Sequence, residues 1–211
     1  MRYAWDCATG SGQVAHVLSR HFFKVYANDI SQRQLSHAPG DRNIEYHNVP
    51  SEDTGFPAGL FDLITVAQAI HWFDFDDFYA EVKRVARKKA VLAVIGYGMV
   101  QVSEEIDPLI REFADRMFGH YFSDNRAWLD QRYTTIPFPF QEIPAPDFSS
   151  ELRWSRQDFE GFLNSWSPVQ QYKNDHGSNP ADQLMSRIKP FWPESTNFTV
   201  SFPIFIRLGR I

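Results

Sequence analysis

Three places in the chain combine residue types that could do chemistry. The first is Asp6-Cys7-Ala8-Thr9-Gly10-Ser11-Gly12, where a short apolar run gives way to a helical pattern. Glycines at a strand-to-helix turn leave unpaired helix amides and bare backbone facing outward, a setting for a nucleotide-like ligand. The second is Asp29, which closes the next apolar run and stands where such folds hydrogen-bond a ribose diol; capping the following turn is its other use. The third is His71, just after a long apolar run. Unperturbed imidazole titrates near pH 6.5, which makes His71 the natural candidate for a general base, against the alternative of a partly buried histidine packed beside Trp72 and Phe73.

The glycine turn alone leaves the ligand open. Gly10-Ser11-Gly12-Gln13-Val14-Ala15 also fits the dinucleotide pattern G-x-G-x-x-G/A, so a nicotinamide-dependent dehydrogenase is a rival. Asp6 tilts against it, because a carboxylate repels a pyrophosphate but accepts from an ammonium group. A cofactor with both a ribose and a cationic amino acid end fits Asp6 and Asp29 together, and S-adenosylmethionine is such a molecule. The remaining histidines show no metal-ligand spacing, so no metal is expected. The single cysteine, Cys7, excludes a disulfide framework and reads as a small buried strand residue.

These groups need elements to position them. Tyr3 to Cys7 is a compact strand, followed by Val14, Val17, Leu18 and Phe22 at helical spacing. Lys24 to Asn28, Ile44 to Asn48, Phe61 to Ala67 and Ala90 to Ile95 supply four more strands. Ser31 and Gln34 form a capping box, and Asp74 caps a helix carrying Phe78, Tyr79, Val82 and Val85 on one face. The alternation is that of a parallel sheet covered by helices. From Gln101 the rhythm changes. Asp107-Pro108 opens a helix with Phe113, Met117 and Tyr121 in its apolar stripe, and the prolines from 137 to 146 mark an extended loop. Phe148 to Trp154 is a strand, Ser155 can cap the next helix, Asn179-Pro180 opens another, and Phe198 to Ile206 alternates with period two. Pro203 places that last strand at an edge or a bulge. We expect one domain over 1–211, with 101–146 as a helical insertion or lid and 147–211 completing the sheet.

Composition agrees. The chain has 211 residues, 43% of them hydrophobic, with 19 Phe, 8 Tyr and 6 Trp, enough for a sizeable core. With 21 basic against 26 acidic residues and no extended basic stripe, nucleic acid is not an expected partner. No stretch approaches the roughly 20 apolar residues of a membrane span, and no signal segment follows Met1. A cytoplasmic protein with a small-molecule acceptor is expected, its oligomeric state left open.

The runs Asp6-x-Ala8-x-Gly10-x-Gly12-Gln13, Ala27-Asn28-Asp29-Ile30-Ser31 and Phe61 through Ala67-Gln68-Ala69-Ile70-His71-Trp72-Phe73 resemble class I S-adenosylmethionine-dependent methyltransferases, in particular the small-molecule branch like trans-aconitate methyltransferase. Phe138-Pro139-Phe140 and Ser165-Trp166-Ser167 extend the likeness over most of the chain. The resemblance implies an α/β, Rossmann-like, doubly wound sheet of seven mostly parallel strands with an antiparallel last strand. It implies that Asp6, Ala8, Thr9, Gly10 and Gln13 line the methionine end, that Asp29 holds the ribose, that Ile30 packs on adenine and that Ser51 and Glu52 flank its edge. Gln68 and Ala69 would face the sulfur, with His71 and Trp72 near the acceptor. Tyr97, Trp128 and Tyr133 could shape the acceptor pocket and Arg126 could pair a substrate carboxylate. O-methylation of a small carboxylate is the expected reaction. The alternatives are a degenerate binding protein and, further off, the dehydrogenase. Three departures stand out. Ala8 replaces a glycine, where a methyl group would either crowd the cofactor or demand a backbone angle alanine dislikes. Arg87-Lys88-Lys89-Ala90 replaces a Lys-Pro-Gly-Gly surface turn. The family also carries helices ahead of the first strand, whereas Met1 here stands almost at that strand: either the start is misassigned or trimmed, or part of the cover is lacking and weaker cofactor binding is expected.

Overall fold

In the computed structural model, which describes residues 2–121 and 126–211 (side chains at 120, 121, 126 and 127 excepted), the chain groups into two units. The first comprises Met1–Gly96, Gln131–Asp147 and Phe205–Ile211, the second Tyr97–Asp130 and Phe148–Ile204. Residues 131–147, read above as part of the insertion and the start of the tail, therefore belong with the first unit.

Parallel strands β1 (Tyr3–Cys7), β2 (Lys24–Asn28), β3 (Ile44–His47), β4 (Phe61–Ala67) and β5 (Ala86–Tyr97) form the sheet of the first unit, with α1 (Gln13–Ser19), α2 (Gln32–Leu35) and α3 (Phe75–Val85) between them. The sheet continues through β8 (Phe198–Arg210) and β6 (Gln141–Ile143), in the order β3-β2-β1-β4-β5-β8-β6, and β6 is antiparallel to β8. Chain order runs outward in opposite directions from β1 and β4. That reversal opens a crevice beyond their carboxyl ends, where ligands of doubly wound sheets bind. Register levels those ends: Cys7 lies beside both Asn28 and Val66, and Ala67 beside Ile95.

Both faces of β1 are buried, as a central parallel strand requires. On one side Trp5 meets Phe56, Phe61 and Phe78 with ring centroids 5.9 to 6.2 Å apart, beneath the apolar face of α3. On the other, Ala4, Ala15, Phe22, Val25 and Ala27 pack with Leu18. Asp74 caps α3 by accepting from the amides of Asp76 and Asp77, and Lys83 and Arg84 complement the helix dipole in its last turn.

In the second unit, α4 (Asp107–Tyr121), α5 (Arg126–Asp130), α6 (Arg156–Asn164), α7 (Ser167–His176) and α8 (Ala181–Ile188) accompany β7 (Phe148–Trp154), which pairs antiparallel with the first half of β8. Phe113 and Met117 are core residues among Ile110, Phe159, Leu184 and Trp192, as their helical stripe implies. Ser155 forms a full capping box with Asp158. Arg187 and Glu112 make a two-pronged ion pair, at 2.7 and 2.8 Å, that ties α8 to α4.

Several expectations are corrected. Eight strands, not seven, occur among the described residues, because β6 falls inside the proline-rich stretch read as a loop. β5 starts four residues early, and the substituted turn becomes an exposed bulge over Arg87–Lys89 inside the strand, where Lys89 has φ +69°. The Ser31 cap is present, yet α2 spans one turn. Asp107 caps no helix; its carboxylate accepts from the amides of Val102 and Ser103 in the preceding loop. Pro203 lies within β8, where its carbonyl accepts from the Gly98 amide, one residue past the end of β5.

Candidate cofactor and acceptor site

Asp6, near the carboxyl end of β1, is 1% exposed. One carboxylate oxygen accepts from Thr9 Oγ1 at 2.5 Å and the Ala15 amide at 3.1 Å, the other from Thr65 Oγ1 at 2.7 Å. Burial pushes its carboxyl up to about 6, against the opposing pull of those three hydrogen bonds. Read from sequence as the acceptor for an ammonium group, Asp6 is buried and ties the glycine turn to α1 and β4. Thr65 and the Ala15 amide, which complete this arrangement, carried no motif by which to find them.

The turn winds through three left-handed residues, Ala8 (φ +47°), Gly10 (φ +58°) and Gly12 (φ +78°). Ala8 does adopt the angle its side chain disfavours. The two glycines serve different ends. A Cβ built on Gly10 would meet nothing within 4 Å, whereas one on Gly12 would lie 2.6 Å from the Tyr46 hydroxyl and 3.1 Å from Ala38 and Pro39. Gly10 therefore faces open space, and Gly12 lets α1 pack closely.

Asp29 performs the capping it was weighed against and more. Its Oδ1 accepts from the Ser31 amide at 2.8 Å and its Oδ2 from the Gly10 amide at 2.9 Å, which clamps the turn after β1 to the end of β2. Each oxygen keeps a lone pair for a further donor. Beside it, the Ile30 side chain is 78% exposed, and Gln13 is exposed on the first turn of α1. Open backbone, a carboxylate with remaining capacity and an uncovered apolar side chain are what a nucleoside needs.

Ser51 does not share that surface. It is buried, and its hydroxyl accepts from Asn28 Nδ2, whose amide also reaches the Val49 carbonyl. Ser51 is thus a staple for the loop after β3. Glu52 is half-buried and accepts from the Asp74 amide.

After β4, Gln68 takes the left-handed conformation (φ +56°) while its amide donates to the Ile95 carbonyl. Ala69 is buried, and Ile70–Trp72 make a single 3₁₀ turn. His71 is 9% exposed, with its Nδ1 2.8 Å from the Tyr133 hydroxyl, and the Trp72 ring lies against it, 57% exposed. Tyr133 has no exposed surface, which corrects its reading as part of the acceptor wall; its hydroxyl stands against His71. Three of the five non-glycine left-handed residues described, Ala8, Gln68 and Tyr133, thus follow β1, follow β4 or bond His71, and such strain concentrates at functional sites. Tyr97, Trp128 and Arg126 fall in the second unit. Tyr97 packs edge-on to Phe202 there, and the Arg126 side chain lies outside the described residues. Burial of Cys7 pushes its thiol well above the ordinary range, consistent with an inert strand residue. Among the described residues no group of three His, Cys, Asp or Glu is placed to hold a metal, and no helix is long and apolar enough to cross a membrane.

A doubly wound sheet with a glycine turn on β1 and a carboxylate closing β2 defines a nucleoside-cofactor-binding α/β protein. Comparison with known proteins gives the chemistry. The methyltransferase domain family matches residues 5–94. The solved structure of a candidate type II methyltransferase from Anaeromyxobacter dehalogenans is 35% identical and superposes with a TM-score of 0.90, covering 99% of this chain and 89% of that one. A candidate methyltransferase of Dictyostelium discoideum is 29% identical across 98% of this chain and 81% of its own length. A Saccharomyces cerevisiae protein named as a probable S-adenosylmethionine-dependent methyltransferase is 24% identical, with coverage of 87% and 76%. The chain belongs to the S-adenosylmethionine-dependent methyltransferases.

Proposed function

We propose that the enzyme methylates an oxygen of a small molecule, most directly a carboxylate, at the mouth formed by the ends of β1, β2 and β4. The observation that carries this reading is the Asp29 clamp, which joins the open glycine turn to a carboxylate with spare acceptor capacity. In it, Asp29 holds the ribose hydroxyls, Ile30 covers one face of the base, Gly10 and Gln13 border the amino acid end, and Asp6 supplies negative charge from below. S-adenosylmethionine brings a sulfonium-bound methyl group open to in-line displacement, in which a C–O bond forms as the C–S bond breaks with its electron pair left on sulfur.

The chain's own part is alignment and exclusion of water. The strained Gln68 and buried Ala69 place the turn that bears His71 beside the strand ends, and Trp72 offers an apolar surface there. Orienting the nucleophile in a dry pocket is worth on the order of 7–11 kcal/mol. A carboxylate is ionised at neutral pH, so its methylation releases no proton. Calorimetric titration with S-adenosylhomocysteine, with NAD run beside it, tests the donor site: micromolar binding of the former alone is expected, and binding of NAD alone would overturn the assignment. A panel of small carboxylic acids, phenols and amines tests the acceptor class.

A further inference from the structure

His71 and Tyr133 were singled out separately in the sequence, as a base and as a pocket wall, and the fold joins them. The Tyr133 hydroxyl stands 2.8 Å from His71 Nδ1, with the two rings near parallel at 5.8 Å. A phenol is a far better donor than acceptor and an imidazole nitrogen is a strong acceptor, so the favourable direction of this hydrogen bond is O–H to Nδ1. A neutral imidazole that accepts at Nδ1 carries its proton on Nε2.

Tyr133 is held firmly enough to impose that choice. Its carbonyl accepts from Arg207 Nη1 at 2.7 Å, and the same guanidinium reaches the Ile136 carbonyl and the Glu142 carboxylate. The ring meets Phe205 edge-on at 5.4 Å, and the Tyr79 hydroxyl fixes the Pro137 carbonyl at 2.6 Å. Arg132 and Tyr133 are both left-handed, at φ +56° and +58°, a conformation costly for two bulky residues in succession. Packing alone does not require a buried tyrosine hydroxyl at this point, since phenylalanine would fill the same space.

Resting on the reading of His71 as an acceptor-side group, we infer that Tyr133 is a positioning residue: it keeps the proton of neutral His71 on Nε2, so that His71 offers the acceptor a hydrogen-bond donor and the site selects nucleophiles already anionic. A ring protonated on Nε2 cannot take a proton there from an alcohol or an ammonium group. It can hold one lone pair of a carboxylate while another attacks the methyl carbon, with no proton to be removed. Tyr133 thereby bears on substrate class without touching the substrate.

The test is a two-bond proton–nitrogen correlation spectrum of the whole protein labelled with 15N-histidine, recorded at a pH where His71 is neutral, with S-adenosylhomocysteine present and His71→Gln used for assignment. The expected wild-type pattern is the Nε2–H tautomer. Tyr133→Phe should shift His71 to a mixture of tautomers and lower kcat with a carboxylic acid acceptor by roughly tenfold, the scale of one buried hydrogen bond, while S-adenosylhomocysteine affinity stays within about twofold. An Nδ1–H tautomer in the wild type, or a Tyr133→Phe spectrum identical to it, overturns the inference. The wild-type spectrum decides this even if the variant does not fold. Turnover of phenols or amines with no turnover of carboxylic acids overturns the selectivity. Failure of the donor-site reading is recognised separately, as absence of S-adenosylhomocysteine binding.

Discussion

Asp6 couples protonation to folding because it is a buried carboxyl whose three donors all come from the chain. Folded, it keeps its proton up to about pH 6; its ordinary value is 3.8. A raised carboxyl favours the folded state below the ordinary value and loses that contribution as pH climbs to the folded one. Unfolding free energies of the wild type should therefore fall relative to Asp6→Asn between pH 4 and pH 6, by about 3 kcal/mol in all, and parallel curves in urea titrations would count against it. Ala8 stores strain of a different kind, which Ala8→Gly should relieve. The gain should be about 1 kcal/mol, read as a higher melting temperature. In the proposed site, Asp29 is the residue on which cofactor binding turns. Asp29→Ala removes the acceptor for the Gly10 and Ser31 amides as well as the one proposed for the ribose, and S-adenosylhomocysteine titration should show at least about tenfold weaker binding. Unchanged affinity would remove the ribose assignment. The placement of His71, Asp29 and the glycines just past strand ends was legible from type and spacing. The burial of Asp6, Ser51 and Tyr133 was not, because which donor meets which acceptor depends on segments far apart in the chain.

Elements show the same division. The strands β1, β2 and β4 and the capped helix α3 follow from apolar runs and a capping aspartate, all of them local signals. β6 was hidden because its three residues sit among prolines and gain strand character only by pairing with β8. The approach of α1 to β3 rests on a detail of Gly12. Gly12→Ala should cost about 2 kcal/mol through a poor backbone angle and a collision with the Tyr46 hydroxyl. That hydroxyl is buried without a hydrogen-bond partner, so Tyr46→Phe should be nearly neutral alone and should recover part of the loss in the double variant. Denaturant midpoints of the four proteins measure the coupling, and strict additivity would show that the collision is relieved elsewhere.

At the scale of the molecule, the chain returns to its first unit twice, through residues 131–147 and through the end of β8, and Arg207 fastens the two returns together. Replacing it by methionine keeps the stem over Phe138 but abandons two carbonyls and the Glu142 carboxylate. Arg207→Met should destabilise the protein by about 3 kcal/mol in thermal or urea unfolding, and a cost below about 1 kcal/mol would show that water replaces the guanidinium there. The architecture that needs this fastening was partly written in local pattern. Alternating apolar runs and helical stripes specify a parallel α/β sheet, and the glycine turn with Asp29 one strand later points to a nucleoside site, because strand period, helix period and turn chemistry act over a few residues. Tertiary structure alone decided that Asp6 is buried against Thr9 and Thr65, that an eighth strand completes the sheet and that Tyr133 meets His71 across sixty-two positions. Those outcomes depend on which distant groups burial forces to share hydrogen bonds, and no local spacing encodes that pairing.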